Sequence, residues 1–227
     1  MNLIPFALSK NTNQLVDVAD VESGKKCDCI CPSCNIPLIA KKGEVNEWHF
    51  AHDSQYVDKE QEKECEFSWV IAIKMMLKQL LVDGSKLTLP SYKLQHKGIG
   101  YQKSPHILLI TNASTIEYSN PEVKALSCDV TVDVKNTKLG IIFFMKETLA
   151  QNFTDLDEKL GGVIGINIKE IALKDNKAIN NLRNHMKFIL EGKIFAKKWI
   201  YHKNEKAKIA SHEQHLRKET EVEIPAP

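Results

Sequence analysis

Apolar residues recur at helical spacing at Trp69, Ile73, Met76, Leu77 and Leu80, a stripe that predicts a helix from Glu62 to Val82, ending at Asp83-Gly84. Before it the pattern is short and broken. Phe6-Ala7-Leu8, Leu15 to Val18, Pro37 to Ala40 and Trp48 to Ala51 read as short strands, with turns at Gly24 and Gly43. A polar stretch from Asp53 to Lys63 reads as a linker. After the helix the period changes to two: Leu87 to Leu89 and Ile107 to Ile110 predict strands, and Val130, Val132 and Val134 alternate with Asp129, Thr131 and Asp133 before a turn at Asn136. Leu139 to Met145 is nearly all apolar, as a strand buried on both faces should be. The remaining pattern predicts a short helix from Thr154 to Leu160 stopped by Gly161-Gly162, a buried strand from Val163 to Ile168, a helix from Ala178 to Leu190 and further helix from Ile194 onward.

This order of helix, strands in hairpin-like succession, helix, strand and helix predicts an α/β (α+β) fold with a mixed sheet flanked by helices. It does not fit a doubly wound nucleotide fold. The chain lacks Gly-x-Gly-x-x-Gly and phosphate-loop sequences, which gives a nucleotide cofactor no support. At 227 residues, 43% of them apolar, the chain can bury a core and carry an appended module. With 31 basic against 29 acidic residues, net charge alone does not point to nucleic acid. The absence of a secretory pattern or a membrane-length apolar run, with six Cys gathered mostly around one short motif, leads to the expectation of a cytoplasmic protein without a membrane partner.

That motif is Cys31-Pro32-Ser33-Cys34, followed by Trp48-His49-Phe50-Ala51-His52. Two thiols and two imidazoles are the ligand set and count of a closed tetrahedral zinc site, so a structural zinc on Cys31, Cys34, His49 and His52 is expected. Cys27, Cys29 and Cys65 are alternatives that can displace His49 or sit just outside the ligand shell. Cys128, in an apolar run, reads as a small buried hydrophobe.

The stretch Phe6 to His52, with Cys27-Asp28-Cys29-Ile30-Cys31-Pro32-Ser33-Cys34, Leu38 to Gly43 and Trp48 to His52, resembles the N-terminal module of the competence protein CoiA family. That family is associated with bacterial DNA uptake and recombination, and similar proteins occur in mobile and defence-related contexts. Behind this module the family carries a nuclease-like core of the PD-(D/E)XK type, and the order of elements here looks like that core. The resemblance implies a catalytic set of Glu66, Asp129 and Lys146. It also shows two departures: Val70 stands where a Glu-x-x-x-His element has its imidazole, and Phe144 stands where a carboxylate precedes Lys146 by two positions. A hard divalent cation, Mg²⁺ or Mn²⁺, loses a fixed oxygen ligand by that change, which points to a degenerate site. Asp133, on the strand face of Asp129, is the alternative carboxylate for an active enzyme. Taken without the resemblance, Asp129, Lys146 and Glu66 read as ordinary strand-end and first-turn residues.

The resemblance divides the chain into a zinc module over 1–58, a nuclease-like core over 59–200 and a charged helical or disordered tail over 201–227. Lys197, Lys198, Trp199 and Lys203 interleave basic and aromatic side chains as nucleic-acid contacts do. A solvated amphipathic helix is the alternative for this basic stretch, and His202, His212 and His215 read as surface residues. The expected partners are DNA, a protein encoded nearby, or both. The function expected is that of an accessory factor, with an active nuclease and a structural subunit of a larger complex as alternatives.

Overall fold

A computed structural model describes residues 3–57, 65, 67–96, 105–145, 159–172 and 181–222. The fold is α+β, built from several small sheets and few helices. The chain divides into two compact units, residues 1–85 with 167–191 and residues 86–166 with 192–227.

The first unit opens with β1 (Phe6–Ser9), β2 (Leu15–Asp17) and β3 (Cys29–Ile30), antiparallel in the order β2-β1-β3. A hairpin follows, β4 (Leu38–Lys41) against β5 (His49–His52), in a register that pairs Ala40 with Phe50 and Leu38 with His52. Helix α1 (Trp69–Asp83) buries Ile73, Met76, Leu77, Leu80 and Leu81, the stripe expected of a helix lying on a core. It starts at Trp69, later than the apolar pattern predicts, because Ser68 is extended and its hydroxyl accepts the Ile71 N–H. Gln79 clamps α1 to β2, its amide donating to the Leu15 carbonyl (3.0 Å) and accepting the Leu15 N–H (2.8 Å). Asn167 caps the short α2 (Ile168–Ile171), and α3 (Leu182–Gly192) buries Met186, Ile189 and Leu190. Asp17, 1% exposed, accepts backbone N–H groups from Ala19 (2.8 Å) and Arg183 (2.9 Å), joining segments far apart in sequence.

In the second unit β6 (Lys86–Leu89) pairs with β9 (Ser114–Glu117), and β7 (Tyr92–His96) pairs with β8 (His106–Thr111), as two nested hairpins. Pro90, which has no N–H to give a ladder, lies between β6 and β7. A five-stranded sheet runs β10 (Ser119–Val123), β11 (Val130–Val134), β12 (Thr137–Phe144), β13 (Leu160–Asn167) and β14 (Lys197–His202) in that order. Every residue of β13 is buried, as its unbroken apolar run predicts. Helix α4 (Glu205–Val222) ends the described chain. No helix among the described residues is long and apolar enough to cross a membrane.

Two predicted helices are corrected. Residues 154–158 of the first lie outside the described residues; its predicted last residue, Leu160, and the Gly161-Gly162 stop belong to strand β13. Small residues are needed here because neighbours press on the backbone: a Cβ at Gly161 would meet Thr137 Oγ1 at 2.3 Å, and one at Gly162 would meet the Trp199 ring at 2.7 Å and the Tyr201 carbonyl oxygen at 3.1 Å. The helix predicted from Ile194 onward is interrupted by β14, whose pairing with β13 overrides the amphipathic pattern. Gly162→Ala is therefore expected to destabilise the second unit by about 1–3 kcal/mol, the usual cost of overpacking, measurable as a lower urea midpoint.

Candidate metal centre

Four side chains converge beside the N-terminal sheets: Cys31, Cys34, His52 and Cys65, with their ligand atoms all within 4.8 Å of one another. The Cys31 and Cys65 sulfurs are 3.6 Å apart, and His52 Nε2 lies 3.4 Å from Cys34 Sγ and 3.7 Å from Cys65 Sγ. With Zn–S near 2.3 Å and Zn–N near 2.05 Å, a tetrahedral ion has edges of about 3.8 Å between sulfurs and about 3.6 Å between sulfur and nitrogen. The observed spacings fit those edges. Three soft thiolates and one imidazole suit a borderline ion such as zinc far better than Mg²⁺ or Ca²⁺.

Local sequence explains how each donor is placed. Cys31 leaves the end of β3, and the chain reverses at once: the Asn35 N–H donates to the Cys31 carbonyl and the Cys31 N–H donates to the Ile36 carbonyl, both at 2.9 Å. Asn35 takes the left-handed conformation the turn requires (φ 59°), which Asn tolerates better than most residues. The backbone N–H groups of Ser33 and Cys34 point at the Cys31 sulfur and favour its thiolate, but burial dominates and pushes the thiol up to about 12. Deprotonation at Cys31 thus has to be driven by a bound cation. His52 ends β5 opposite Leu38. Cys65 lies just ahead of the Ser68 cap of α1.

His49, one of the four ligands expected from sequence, is not in the cluster. Its Nδ1 lies 2.9 Å from the Glu47 carbonyl oxygen. Residues 49 and 52 on one strand point to opposite faces, so a strand cannot aim both imidazoles at one ion. Cys65 takes the fourth place. Cys27 and Cys29 are buried with their thiols donating to the carbonyls of Leu38 (3.2 Å) and Cys27 (3.0 Å). Burial, reinforced by Cys27, pushes the Cys29 thiol up to about 12. Beside the cluster Lys25 makes a 2.8 Å ion pair with the buried Asp53, and its hydrogen bond holds that carboxyl below the usual range.

Residues 14–57 match the family model of the competence protein CoiA N-terminal domain. The match covers Cys31, Cys34 and His52, while Cys65 lies beyond it. No curated protein and no solved structure matches the chain.

The residues expected at a nuclease centre are placed as follows. Glu66 and Lys146 lie outside the described residues. Asp129 precedes β11, where its carboxylate accepts the Phe143 N–H at 2.8 Å. Asp133 accepts from the Asn120 amide (2.9 Å) and pairs with Lys138 (3.1 Å), contacts that hold its carboxyl below the ordinary value. Phe144 is buried at 8% exposure with the Lys198 ammonium 4.7 Å from its ring centre. Among the described residues, no third carboxylate, imidazole or thiol closes on Asp129 to make a ligand group.

The basic stretch is ordered as a strand with one inward lysine. Lys197 is 8% exposed, its ammonium donating to the Lys193 carbonyl, and burial lowers it to about 7. Trp199 donates its indole N–H to the Pro90 carbonyl (2.8 Å) and stacks on Tyr92 at 6.2 Å. Trp199, His202 and Lys203 line a cleft of about 520 Å³ together with Lys135 and Asn136 from the turn between β11 and β12 and Lys138 from the start of β12. Sequence reasoning missed these two lysines, because they lie more than fifty residues from the basic stretch.

Proposed function

We propose that this chain is a zinc-stabilised accessory protein of bacterial DNA uptake, recombination or phage defence. It works in the cytoplasm by binding DNA, or a protein encoded near its own gene, and does not itself cut DNA. The zinc module over 1–58 acts as a staple, and the nuclease-like residues of 59–200 serve as a binding scaffold. The N-terminal family match supports the pathway. The observation that carries the loss of catalysis is Phe144: a buried phenyl ring under the Lys198 ammonium stands where the resemblance to a nuclease-like core implies an oxygen ligand for metal-ion catalysis. Asp129, the carboxylate of that set among the described residues, has one oxygen accepting the Phe143 N–H. DNA contact is supported by the cleft, where Lys135 and Lys203 offer phosphate-neutralising charge beside Trp199.

Purified full-length protein with Mg²⁺ or Mn²⁺ is expected to leave linear, circular and single-stranded DNA intact. It is expected to bind DNA with an affinity that falls as salt rises, and Lys135→Ala with Lys203→Ala should weaken that binding and flatten its salt dependence. Metal-dependent cleavage that disappears in Asp129→Asn would overturn the proposal in favour of an active nuclease. Asn keeps an acceptor for the Phe143 N–H, so a loss of activity would not simply report lost structure.

A further inference from the structure

We propose that His96, His106 and His212 form a second metal site in the 86–166/192–227 unit, taking a borderline divalent ion such as zinc. His96 and His106 are direct cross-strand partners in the β7–β8 hairpin, and His212 reaches them from α4. The His212 ring lies 5.1 Å from that of His106 and 6.0 Å from that of His96, centre to centre. An imidazole on zinc has its ring centre about 3.2 Å from the ion, so two such rings on a tetrahedral ion sit about 5.2 Å apart.

Three nitrogens here are buried and make no hydrogen bond among the described residues: His96 Nδ1, His106 Nε2 and His212 Nε2. Buried polar atoms ordinarily find partners, and three such orphans on neighbouring rings share one explanation if they are lone pairs kept for a cation. Glu213 supplies the second observation. Its Oε1 lies 3.2 Å from His96 Nε2, an acceptor that places a proton on that nitrogen and leaves Nδ1 as the nitrogen open to a cation. A carboxylate behind a ligating histidine is the usual device for fixing tautomer and raising basicity. The three nitrogens do not close to ligand spacing of one another in this conformation, so ligation requires rotation of the rings about their soft χ2 torsions. Imidazole donors without thiolate select zinc, copper, nickel or cobalt over calcium and magnesium. His212, read from sequence as a surface residue, is half-buried, because the hairpin lies beneath α4.

Full-length protein equilibrated with Zn²⁺ and freed of loose metal is expected to hold two equivalents by mass spectrometric metal analysis. Cys34→Ser should remove one, and His106→Phe or His212→Phe the other, with the ring retained as a packing body. Cobalt makes the two sites separable: the thiolate-to-cobalt band should vanish in Cys34→Ser and persist in both Phe variants. Glu213→Gln, which leaves the ligands in place, should weaken the second equivalent about 10-fold. One equivalent in the wild type, or a second equivalent that survives both Phe substitutions, would overturn the proposal without touching the Cys31 site. If a Phe variant loses its native circular dichroism, the Glu213→Gln titration decides, and unchanged affinity there overturns it.

Discussion

Cys65→Ser or Cys34→Ser is expected to strip the N-terminal module of its metal and unfold it, whereas His49→Ala leaves both metal and fold in place. The strands of that module are two to four residues long, too short to be stable as isolated hairpins, so a metal held by the cluster would supply stability that such short strands lack. Binding of structural zinc contributes about 10–16 kcal/mol in zinc-finger peptides. That compares with about 5–15 kcal/mol of total stability for an ordinary domain. Losing one of four ligands therefore takes away a term comparable to the whole fold of the module. The readouts are metal equivalents per chain and hydrogen exchange over residues 14–57. Zinc retained by Cys65→Ser, or lost from His49→Ala, would contradict the assignment. Acid has the same effect as the mutation. Zinc must displace protons from three thiols, one of which burial pushes up to about 12, so affinity falls as pH is lowered and the metal leaves before the rest of the chain denatures.

Lys197→Met is expected to raise stability at pH 7 and to flatten its dependence on pH. Burial alone lowers the Lys197 ammonium to about 7, below its value in an unfolded chain, so between those two values the unfolded state binds the extra proton. The penalty is full below pH 7, shrinks as pH rises and is gone above the unfolded pKa of about 10.4. A gap of that size corresponds at most to something on the order of 5 kcal/mol. The hydrogen bond to the Lys193 carbonyl is among the contacts that Met gives up. Urea unfolding at pH 7 and pH 9.5 measures both effects. A variant less stable than the wild type at pH 7 would show that the inward lysine stabilises β14. The same burial removes Lys197 from the side chains able to neutralise a phosphate.

Much of the secondary structure was legible because one physical signal dominated each stretch. The α1 stripe and the all-apolar β12 and β13 runs bury on the faces their periods require. The errors share a cause. Gly161-Gly162 looks like a helix stop in one dimension, but the pair is small because Thr137 and Trp199 lie against the backbone. Residues from Ile194 onward have helical composition, yet an open ladder edge on β13 takes Lys197 to His202 as a strand.

The metal centre divides along the same line. Cys31 and Cys34 were legible from the sequence alone, since two thiols with two residues between them around a tight turn are the spacing of a metal knuckle. The parity of a strand, also a sequence property, already separates His49 from His52. The identity of the fourth donor was settled only by tertiary structure: Cys65 reaches the site across a polar stretch whose path no local pattern dictates, and it arrives 3.6 Å from Cys31 and 3.7 Å from His52. Local periodicity records which face a residue presents. Which distant residue meets that face depends on how the chain returns, and that is decided by packing.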